Sequence, residues 1–348
     1  FMTVLGVAGC TALLLIGFGI QDSILPIVDK QSEQLTHNDM TIVLSDEKAL
    51  TMEQGLADTL DSSSAVRSWG AFYTKSTTLY NEEGGSADVS IVGAEDDARM
   101  TEYFTFRTRV GHDPIPFEED SVILTEKTAL NLGLSVGDTF YVEAADGSRV
   151  PLVLTGITEN YMFTRLYLSN AQLQALLGST PEWNTVYGLT GCTTEAEYNT
   201  LRTKLLGCNY VSSVSFTEDT TSMFGSLIGS LNYVVVLIIV CAAALAAVVL
   251  YNLISVNLAE RKKELATIKV LGFYDKEVYR YIFREIELLS LIGSGVGLLL
   301  GVPLHRFIIL TVEMDQLMFI RTIAPRSYLL AVALTMLFTV VVCFAMRW

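Results

Sequence analysis

The residue types that most often carry catalysis or bind metals occur in this chain, but not at the spacings such sites need. The histidines are His37, His112 and His305. They are far apart, and neither a His-Glu-x-x-His nor a Cys-x-x-Cys pattern occurs. The glycine pair Gly133 and Gly137 is followed by Asp138, whose charge would repel a phosphate group. We therefore expect no catalytic residue, no metal and no cofactor in this chain.

Neighbouring carboxylates are the next candidates, because two adjacent acids can act as acid and base or bind calcium. Asp96 and Asp97, and the run from Glu118 to Asp120, lie among turn-forming residues without the spacing of either site. Residues 21–225 contain 30 Asp and Glu against 12 Lys and Arg. We interpret these acids as a solvated surface, and the negative charge of this region makes nucleic acid an unsuitable partner.

Apolar runs predict how the rest of the chain is organised. About 20 apolar residues in a helix cross the hydrocarbon core of a bilayer. Runs of this kind occur at Phe1 to Ile20, Thr220 to Ala259, Leu288 to Leu304 and Tyr328 to Met346. The first run lacks the basic start and the cleavage pattern of a signal peptide. We therefore predict an α-helical transmembrane bundle of four helices.

The basic residues predict the orientation of these helices. Residues 258–284 contain seven Lys and Arg against four Asp and Glu, and such loops remain in the cytoplasm. The acidic domain is therefore predicted to lie outside the cell membrane of a multi-pass protein. The predicted segments are a transmembrane helix at 1–20, a stalk at 21–39, an extracellular or periplasmic domain at 40–216, a stalk and transmembrane helix at 217–257, a cytoplasmic loop at 258–284, a transmembrane helix at 285–311, an extracellular loop at 312–326 and a transmembrane helix at 327–348.

The outer domain begins and ends with similar patterns. The first pattern predicts a strand at Met40 to Leu44, a capping box of Thr51 and Gln54, a helix to about Leu60 and a strand from Val66 to Leu79. The second predicts a strand at Thr185 to Leu189, a capping box of Thr194 and Glu197, a helix to about Leu206 and a strand from Tyr210 to Phe216. The region between them, about 87–180, is rich in short β-type runs. We predict an extracellular α+β domain with paired βαβ units and an inserted β-rich subdomain.

Small residues recur in two of the apolar runs. Gly293, Gly297 and Gly301 are four residues apart, and Ala242 and Ala246 repeat the same spacing. Such spacing lets two helices approach closely in a membrane, although a chance excess of glycine and alanine would give the same pattern. No Asp, Glu, Lys or Arg lies at the middle of a predicted span, which disfavours an ion-coupled transporter.

The basic loop combines an apolar face with a charged face. Leu258, Leu265, Ile268 and Leu271 fall roughly on one side of a helix that ends at Gly272. Asp275 is a suitable N-cap for a second helix that runs into the third span. The resulting helix-turn-helix could meet a protein partner, and an ordinary basic loop could equally bind anionic membrane lipid.

The residues of this loop resemble a known family. Glu260 to Gly272 reads Glu-Arg-Lys-Lys-Glu-Leu-Ala-Thr-Ile-Lys-Val-Leu-Gly, similar to the loop after the second helix in permeases of the FtsX and MacB type. Val122 to Asp138 resembles a strand, helix and Gly-Asp turn of their outer domain, and the glycine-spaced third helix also fits. The residues that carry the resemblance in the loop are Glu260, Arg261, Lys262, Lys263, Glu264, Leu265, Ile268, Leu271 and Gly272.

The resemblance implies the membrane subunit of an ABC transporter. The implied partners are a dimer of cytoplasmic ABC ATPases, which would carry ATP and Mg²⁺, a second permease module in cis or in trans, and an extracellular substrate or effector protein. Long family members contain two four-helix modules, and this chain would correspond to the second. The implied activity is coupling of ATP hydrolysis to movement of the outer domain, with Glu260 to Gly272 as the coupling loop.

Two outputs of such movement, and one function of a different class, stay open on the sequence. The first is efflux, in which a peptide, lipid or drug is exported from the membrane. The second is mechanotransmission without transport, which would control a cell-wall hydrolase. The third is a different class of protein, an extracellular receptor whose acidic domain senses cationic peptides. A fold by itself does not choose among them.

Overall fold

The computed structural model describes residues 2–52, 55–144, 147–260, 275–314 and 317–345. The chain forms two compact units. The outer unit comprises Ile27–Ser226 and Met314–Met318. The helical unit comprises Phe1–Pro26, Leu227–Glu313 and Phe319–Trp348.

The regular elements of the described residues are numbered in chain order. The helices are α1 Met2–Ile24, α2 Ile27–Lys30, α3 Lys48–Thr51, α4 Leu56–Asp61, α5 Asp97–Tyr103, α6 Glu126–Leu132, α7 Asn170–Leu177, α8 Glu195–Leu206, α9 Thr217–Glu260, α10 Asp275–Val312 and α11 Pro325–Ala345. The strands are β1 Met40–Leu44, β2 Val66–Tyr80, β3 Ser86–Ala94, β4 Val122–Thr125, β5 Thr139–Glu143, β6 Arg149–Val153, β7 Gly156–Thr158, β8 Arg165–Leu168, β9 Thr185–Thr190 and β10 Val211–Phe216. A π-helical turn, Gln31–Leu35, follows α2.

The first and last strands of the outer unit interlock. The strand order at this end of the sheet is β10-β1-β9-β2, and every neighbouring pair is antiparallel. β1 and β2 are therefore parallel to each other with β9 between them, and β9 and β10 are parallel with β1 between them. Each pair is connected through helices, which makes two split βαβ units. This arrangement agrees with the predicted pairing of βαβ units.

The inserted region continues the same sheet. β2 has 15 residues, because its first half pairs with β9 and its second half pairs with β3. β8, β4 and β7 then extend the sheet, while β5 pairs with the end of β2 and with β6. The inserted residues therefore do not form a separate sheet within the described part of the chain. All four residues of β4 are buried.

Three hydrophobic clusters among the described residues stabilise the outer unit. One cluster surrounds Leu124 and Phe140 in the insertion. A second lies between the split βαβ strands and their helices, around Ile42 and Leu205. The third is aromatic and is centred on Phe72, whose ring meets several others edge to face. Such aromatic pairs add about 0.5–1.5 kcal/mol each beyond the area they bury.

The two predicted capping boxes have different outcomes. The box of Thr194 and Glu197 at the start of α8 is confirmed in both of its hydrogen bonds. The prediction that Thr51 is the N-cap of the helix that runs to about Leu60 is wrong, and Gln54, its predicted partner in the box, lies outside the described residues. Thr51 is the last residue of the short helix α3, and α4 begins later, at Leu56, after Gly55. The chain leaves the helical conformation at Met52, so Thr51 does not directly precede the next helix and cannot be its N-cap.

The helical unit contains helices long and apolar enough to cross a membrane. In the described part of the chain three spans meet this criterion: Thr3–Leu35, Phe283–Val312 and Pro325–Phe344. The second predicted span lies in α9, where a shorter apolar stretch is described at Val236–Asn252. The count of four transmembrane helices therefore stays a prediction. α1 stops at Ile24 just before Pro26, whose missing N–H interrupts a helix.

Candidate functional site

The N-terminal segment of the outer unit is held there by a buried glutamine, Gln31. Its side-chain nitrogen donates to the Asn160 Oδ1 at 2.8 Å and to the Thr36 Oγ1 at 2.8 Å. Its side-chain oxygen accepts from the backbone N–H groups of Tyr161 at 2.9 Å and Met162 at 3.2 Å. All the donors and acceptors of this amide are therefore used, which is the condition for burying an amide at low cost.

The segment that receives Gln31 is itself held in an unusual shape. The Asn160 Nδ2 donates to the backbone oxygens of Met162 at 2.7 Å and Phe163 at 2.5 Å. Phe163 has a φ of 65°, a conformation that non-glycine residues adopt rarely. The two hydrogen bonds from Asn160 compensate for this strain and keep the backbone N–H groups of the segment directed at Gln31.

A buried carboxylate, Glu159, lies next to this segment. It accepts from the Arg107 Nε at 2.6 Å and from the Tyr161 hydroxyl at 2.5 Å. His112 Nδ1 is 3.4 Å from the same carboxylate. Burial, followed by the hydrogen bond to Glu159, raises the pKa of Tyr161 well above its usual value. Arg107 also donates to Gln34 Oε1 at 2.9 Å. This hydrogen bond is a second point of attachment for the π-helical turn, in addition to Gln31.

The start of α9 is held at the end of the same N-terminal segment. The backbone N–H of Thr217 donates to the Asp39 oxygen at 2.8 Å, and its hydroxyl donates to the Asn38 oxygen at 2.5 Å. The Asp39 carboxylate in turn accepts from the backbone N–H of Thr190 in β9 at 2.8 Å. The first residue of α9 is therefore tied to the central sheet of the outer unit.

The short segment Met314–Met318 is the third connection that joins the outer unit. Met318 donates its backbone N–H to the Tyr161 oxygen at 3.0 Å, and Leu317 forms a β-bridge with Met162. We call the residues that hold the three connections the anchor: Gln31, Asn38, Glu159, Asn160, Tyr161, Met162 and Thr217. Sequence reasoning missed the anchor, because its polar residues are distant in sequence and resemble solvated stalk residues.

The three glycines of α10 lie against α1 in the helical unit. A Cβ placed on Gly297 would be 2.6 Å from the backbone oxygen of Ala8, and one on Gly293 would be 2.8 Å from the Cβ of Val7. Gly301 also lies within contact of α1. These distances are too short for any side chain, so the two helices pack backbone to backbone at these positions.

The two alanines of α9 lie in the interior of the helical unit. Ala246 is buried, and the thiol of Cys10 in α1 is 4.0 Å from its backbone oxygen. Ala242 packs against the cluster that contains Leu14 and Ala331. α1 is therefore in contact with α10 at the three glycines and with α9 at these alanines.

Buried hydroxyl groups join three helices of the helical unit and were not singled out by the sequence. The Thr11 hydroxyl of α1 is 3.4 Å from that of Ser294 in α10 and 3.2 Å from that of Thr335 in α11. Thr339 donates to Ser290 at 3.4 Å one turn away. Hydroxyl contacts of this kind contribute on the order of 1 kcal/mol each between membrane helices.

The structure describes only one residue of the predicted coupling loop. Glu260 is the last residue of α9. The other residues of the predicted loop are outside the described part of the chain: Arg261, Lys262, Lys263, Glu264, Leu265, Ile268, Leu271 and Gly272. The role of the loop in coupling therefore remains a prediction.

Few of the remaining side chains are arranged for chemistry. Within residues 2–52, 55–144, 147–260, 275–314 and 317–345 no group of three His, Cys, Asp or Glu is placed to hold a metal ion. Cys192 and Cys208, which the outer location would allow to form a disulfide, are both free thiols. Of the histidines, His305 is buried and its Nε2 is 3.1 Å from the Ser23 hydroxyl. His37 is half-buried and contacts Thr105 at 2.7 Å.

Comparisons with known families match nearly the whole chain. Residues 2–197 match the family model of the MacB-like periplasmic core domain. Residues 236–348 match the family model of the FtsX-like permease C-terminal part. A comparison with curated protein sequences finds no match.

Two of the solved structures that this chain resembles are outer domains of other proteins. The periplasmic region of MacB from Actinobacillus actinomycetemcomitans is 12% identical, with a TM-score of 0.35, and the match covers 56% of this chain and 96% of that one. The extracellular domain of the ABC-type transporter YknZ from Gram-positive bacteria is 14% identical, with a TM-score of 0.33, and the match covers 52% of this chain and 99% of that one.

Proposed function

Because the chain belongs to the family of permeases with a MacB-like periplasmic core domain and an FtsX-like C-terminal part, we propose that it couples a cytoplasmic ATPase dimer to movement of its outer unit. Members of this family work with cytoplasmic ABC ATPases. In this proposal ATP and Mg²⁺ bind to the partner, and this chain supplies no catalytic group. A second permease module, in cis or in trans, completes the assembly.

One observation supports the coupling route more than any other. α9 is a single helix of 44 residues, and it begins at Thr217 in the anchor and ends at Glu260, the first residue of the proposed coupling loop. A continuous helix transmits a push or a tilt along its axis, because each of its residues is hydrogen-bonded to the next turn. Force applied by the ATPase at Glu260 to Gly272 would thus reach the outer unit through one element.

The anchor determines what that force would move. Gln31 and Thr217 tie the N-terminal segment and the start of α9 to the body of the outer unit through buried or short hydrogen bonds. Rigid attachment at these points would make the outer unit move as one body rather than bend at its connections. We propose that this movement drives the extrusion of a peptide, lipid or drug.

The coupling route is tested by measuring ATP hydrolysis. The full chain is reconstituted in lipid with its cognate ATPase, and hydrolysis is compared with that of the ATPase alone. We expect Leu271→Asp combined with Gly272→Pro to abolish the stimulation. Leu130→Asp is the control, because Leu130 is an exposed leucine of the outer unit. Stimulation that survives the loop substitutions while the proteins still copurify would refute the coupling role of the loop.

The acidity of the outer unit supports a second candidate, a receptor for cationic peptides. Residues 21–225 have 18 more acids than bases, and such a field attracts cations from a distance. A receptor would bind a cationic peptide with an affinity that does not change when ATP is added to the reconstituted complex. A transporter subunit would show nucleotide-dependent peptide affinity or release, so this single comparison separates the two candidates.

A further inference from the structure

The outer unit contains a cavity of about 200 Å³ next to the anchor. It is lined by Val28, Gln31, Ser32, Thr36, Asn38, Thr41, Met162, Phe163, Arg165, Tyr187, Thr217 and Thr221. Liquid water occupies about 30 Å³ per molecule, so this space equals about six or seven water molecules. It is therefore large enough for a carboxylate or phosphate group with a few attached carbon atoms.

The cavity wall contains one charged side chain, Arg165. Its guanidinium lies 5.4 Å from the centre of the Phe104 ring and 5.9 Å from that of Phe163. Its Nη1 is 3.5 Å from the Tyr167 hydroxyl. Aromatic rings and a phenol hold this cation in place without neutralising its charge.

Arg165 differs from the other arginines of the outer unit in its surroundings: Arg67 and Arg149 are exposed, and the remaining four pair with carboxylates. Arg99, Arg107, Arg109 and Arg202 each form an ion pair with a carboxylate. Among the described residues no carboxylate lies within ion-pair distance of Arg165, and none of the lining residues is an Asp or Glu. A half-buried cation without a carboxylate partner, in a region with 30 acids and 12 bases, is a local exception.

The neutral lining residues add hydrogen-bond donors. The Thr36 hydroxyl accepts from Gln31, and the Thr41 hydroxyl accepts from Asn38, so each keeps its own O–H to donate. A guanidinium together with hydroxyl donors is the combination that binds carboxylates and phosphates. Val28 and Met162 supply an apolar part of the wall.

We propose that this cavity binds the carboxylate or phosphate group of a small ligand through Arg165, with an apolar portion of the ligand against Val28 and Met162. A peptide C-terminus and a lipid headgroup both present such a group. The proposal does not rest on the proposed function, because binding needs neither the ATPase nor nucleotide. The site also differs from the acidic surface of the receptor candidate, which would attract cations.

Binding is measured by calorimetry on the full chain in nanodiscs of zwitterionic lipid without nucleotide. The probes are N-acetyl-leucine, which has a carboxylate, its uncharged analogue N-acetyl-leucinamide, and inorganic phosphate. We expect N-acetyl-leucine to bind and the amide to bind at least about tenfold more weakly, because only the carboxylate meets Arg165 with a charge-assisted hydrogen bond. Nanodiscs with added phosphatidylglycerol test whether a lipid headgroup occupies the cavity, since such a headgroup would compete with N-acetyl-leucine.

Variants assign the binding to this cavity. Arg165→Gln should abolish binding, whereas Arg149→Gln, at an exposed arginine of β6, should leave it unchanged. Thr221→Phe fills the cavity without removing the charge and should also abolish binding. It serves as the second variant if Arg165→Gln does not fold. Loss of binding in both cavity variants supports the site, and so does competition by phosphate or phosphatidylglycerol. Equal binding of the acid and its amide, absence of binding, or binding unaffected by Thr221→Phe would overturn the proposal.

Discussion

Gln31 and Asn160, which are 129 residues apart in the chain, share a 2.8 Å hydrogen bond between their side-chain amides inside the outer unit. Each amide is buried, and each makes further hydrogen bonds to the backbone. The pair connects the residues that follow α1 with the strained segment before β8. Gln31, which would be solvated in an ordinary stalk, therefore fixes the position of that stalk on its domain through Asn160.

Gln31→Leu should destabilise the outer unit by about 2–4 kcal/mol. The substitution keeps a similar volume but leaves the N–H groups of Tyr161 and Met162 and the oxygen of Asn160 without their partner, and each buried group left unsatisfied costs about 1–3 kcal/mol. The measurement is denaturant unfolding of the reconstituted protein, followed by the fluorescence of Trp69 and Trp183 in the outer unit.

Gln34→Leu is the matched control for this prediction. Gln34 is in the same π-helical turn and accepts from Arg107, but it is exposed, so water can replace the lost hydrogen bond. We expect a loss below about 1 kcal/mol. Similar losses in both variants would mean that the turn itself, and not the buried amide, holds the stalk.

Gly297→Ala should weaken the packing of α10 against α1, and Gly295→Ala should not. A methyl group on Gly297 would be 2.6 Å from the backbone oxygen of Ala8, whereas one on Gly295 has nothing within 4 Å. Forcing one methyl into a packed interface costs about 1–3 kcal/mol. Thermal unfolding in detergent, with both variants prepared in parallel, measures the difference. A stabilising effect of Gly297→Ala would show that the helices do not pack as closely as described.

Local patterns predicted the elements of this fold better than their contacts. The capping box of Thr194 and Glu197 identified the start of α8, because both partners lie within one turn. The same pattern failed at Thr51, where a four-residue helix ends before the next one begins. A capping pattern depends on only four residues. It therefore cannot show that the chain leaves the helical conformation at Met52.

The candidate site was less predictable than the fold for the same reason. The glycine spacing of α10 indicated a bare helix face, but it did not identify α1 as the helix that would cover it. The anchor combines residues near positions 31, 160 and 217, and Arg165 and Gln31 line the same cavity although they are distant in sequence. No periodicity or motif in one sequence links positions so far apart, and the acidic composition of the domain gave no sign of the cavity at Arg165.

Tyr161 should make the outer unit lose stability at alkaline pH. Burial, and then the hydrogen bond to Glu159, raises the pKa of the Tyr161 phenol above 10.0, its usual value. The unfolded chain therefore releases this proton at a lower pH than the folded chain does. The stabilising effect is fully present below about pH 10 and is lost as the pH rises through the folded pKa, with a slope of up to about 1.4 kcal/mol per pH unit.

Tyr161→Phe should remove this part of the pH dependence. Denaturant unfolding between about pH 9 and about pH 11 should show a smaller loss of stability in the variant than in the wild type. Tyr141→Phe in β5 is the control, because it leaves the Glu159 cluster intact. A wild-type slope that Tyr161→Phe leaves unchanged would contradict the assignment, since other tyrosines would then account for all of it.

Asp22 should contribute more to the stability of the helical unit than its ion-pair partner Arg326. The carboxylate is buried, and it accepts from the Ala324 N–H at 3.0 Å and the Ser327 hydroxyl at 2.5 Å in addition to Arg326 at 3.1 Å. It thus holds the start of α11 against the end of α1. The Arg326 side chain is 74% exposed, so its attraction to Asp22 is weakened by water.

We therefore expect Asp22→Ala to cost about 2–3 kcal/mol, because it leaves the Ala324 N–H and the Ser327 hydroxyl without an acceptor. Arg326→Ala should cost less than about 1 kcal/mol, as is typical of exposed ion pairs. Thermal unfolding in detergent at low and high salt separates the two effects, since salt screens the exposed pair and not the buried hydrogen bonds. Equal losses in the two variants, both abolished by salt, would show that the charge pair and not the buried acceptor joins the helices.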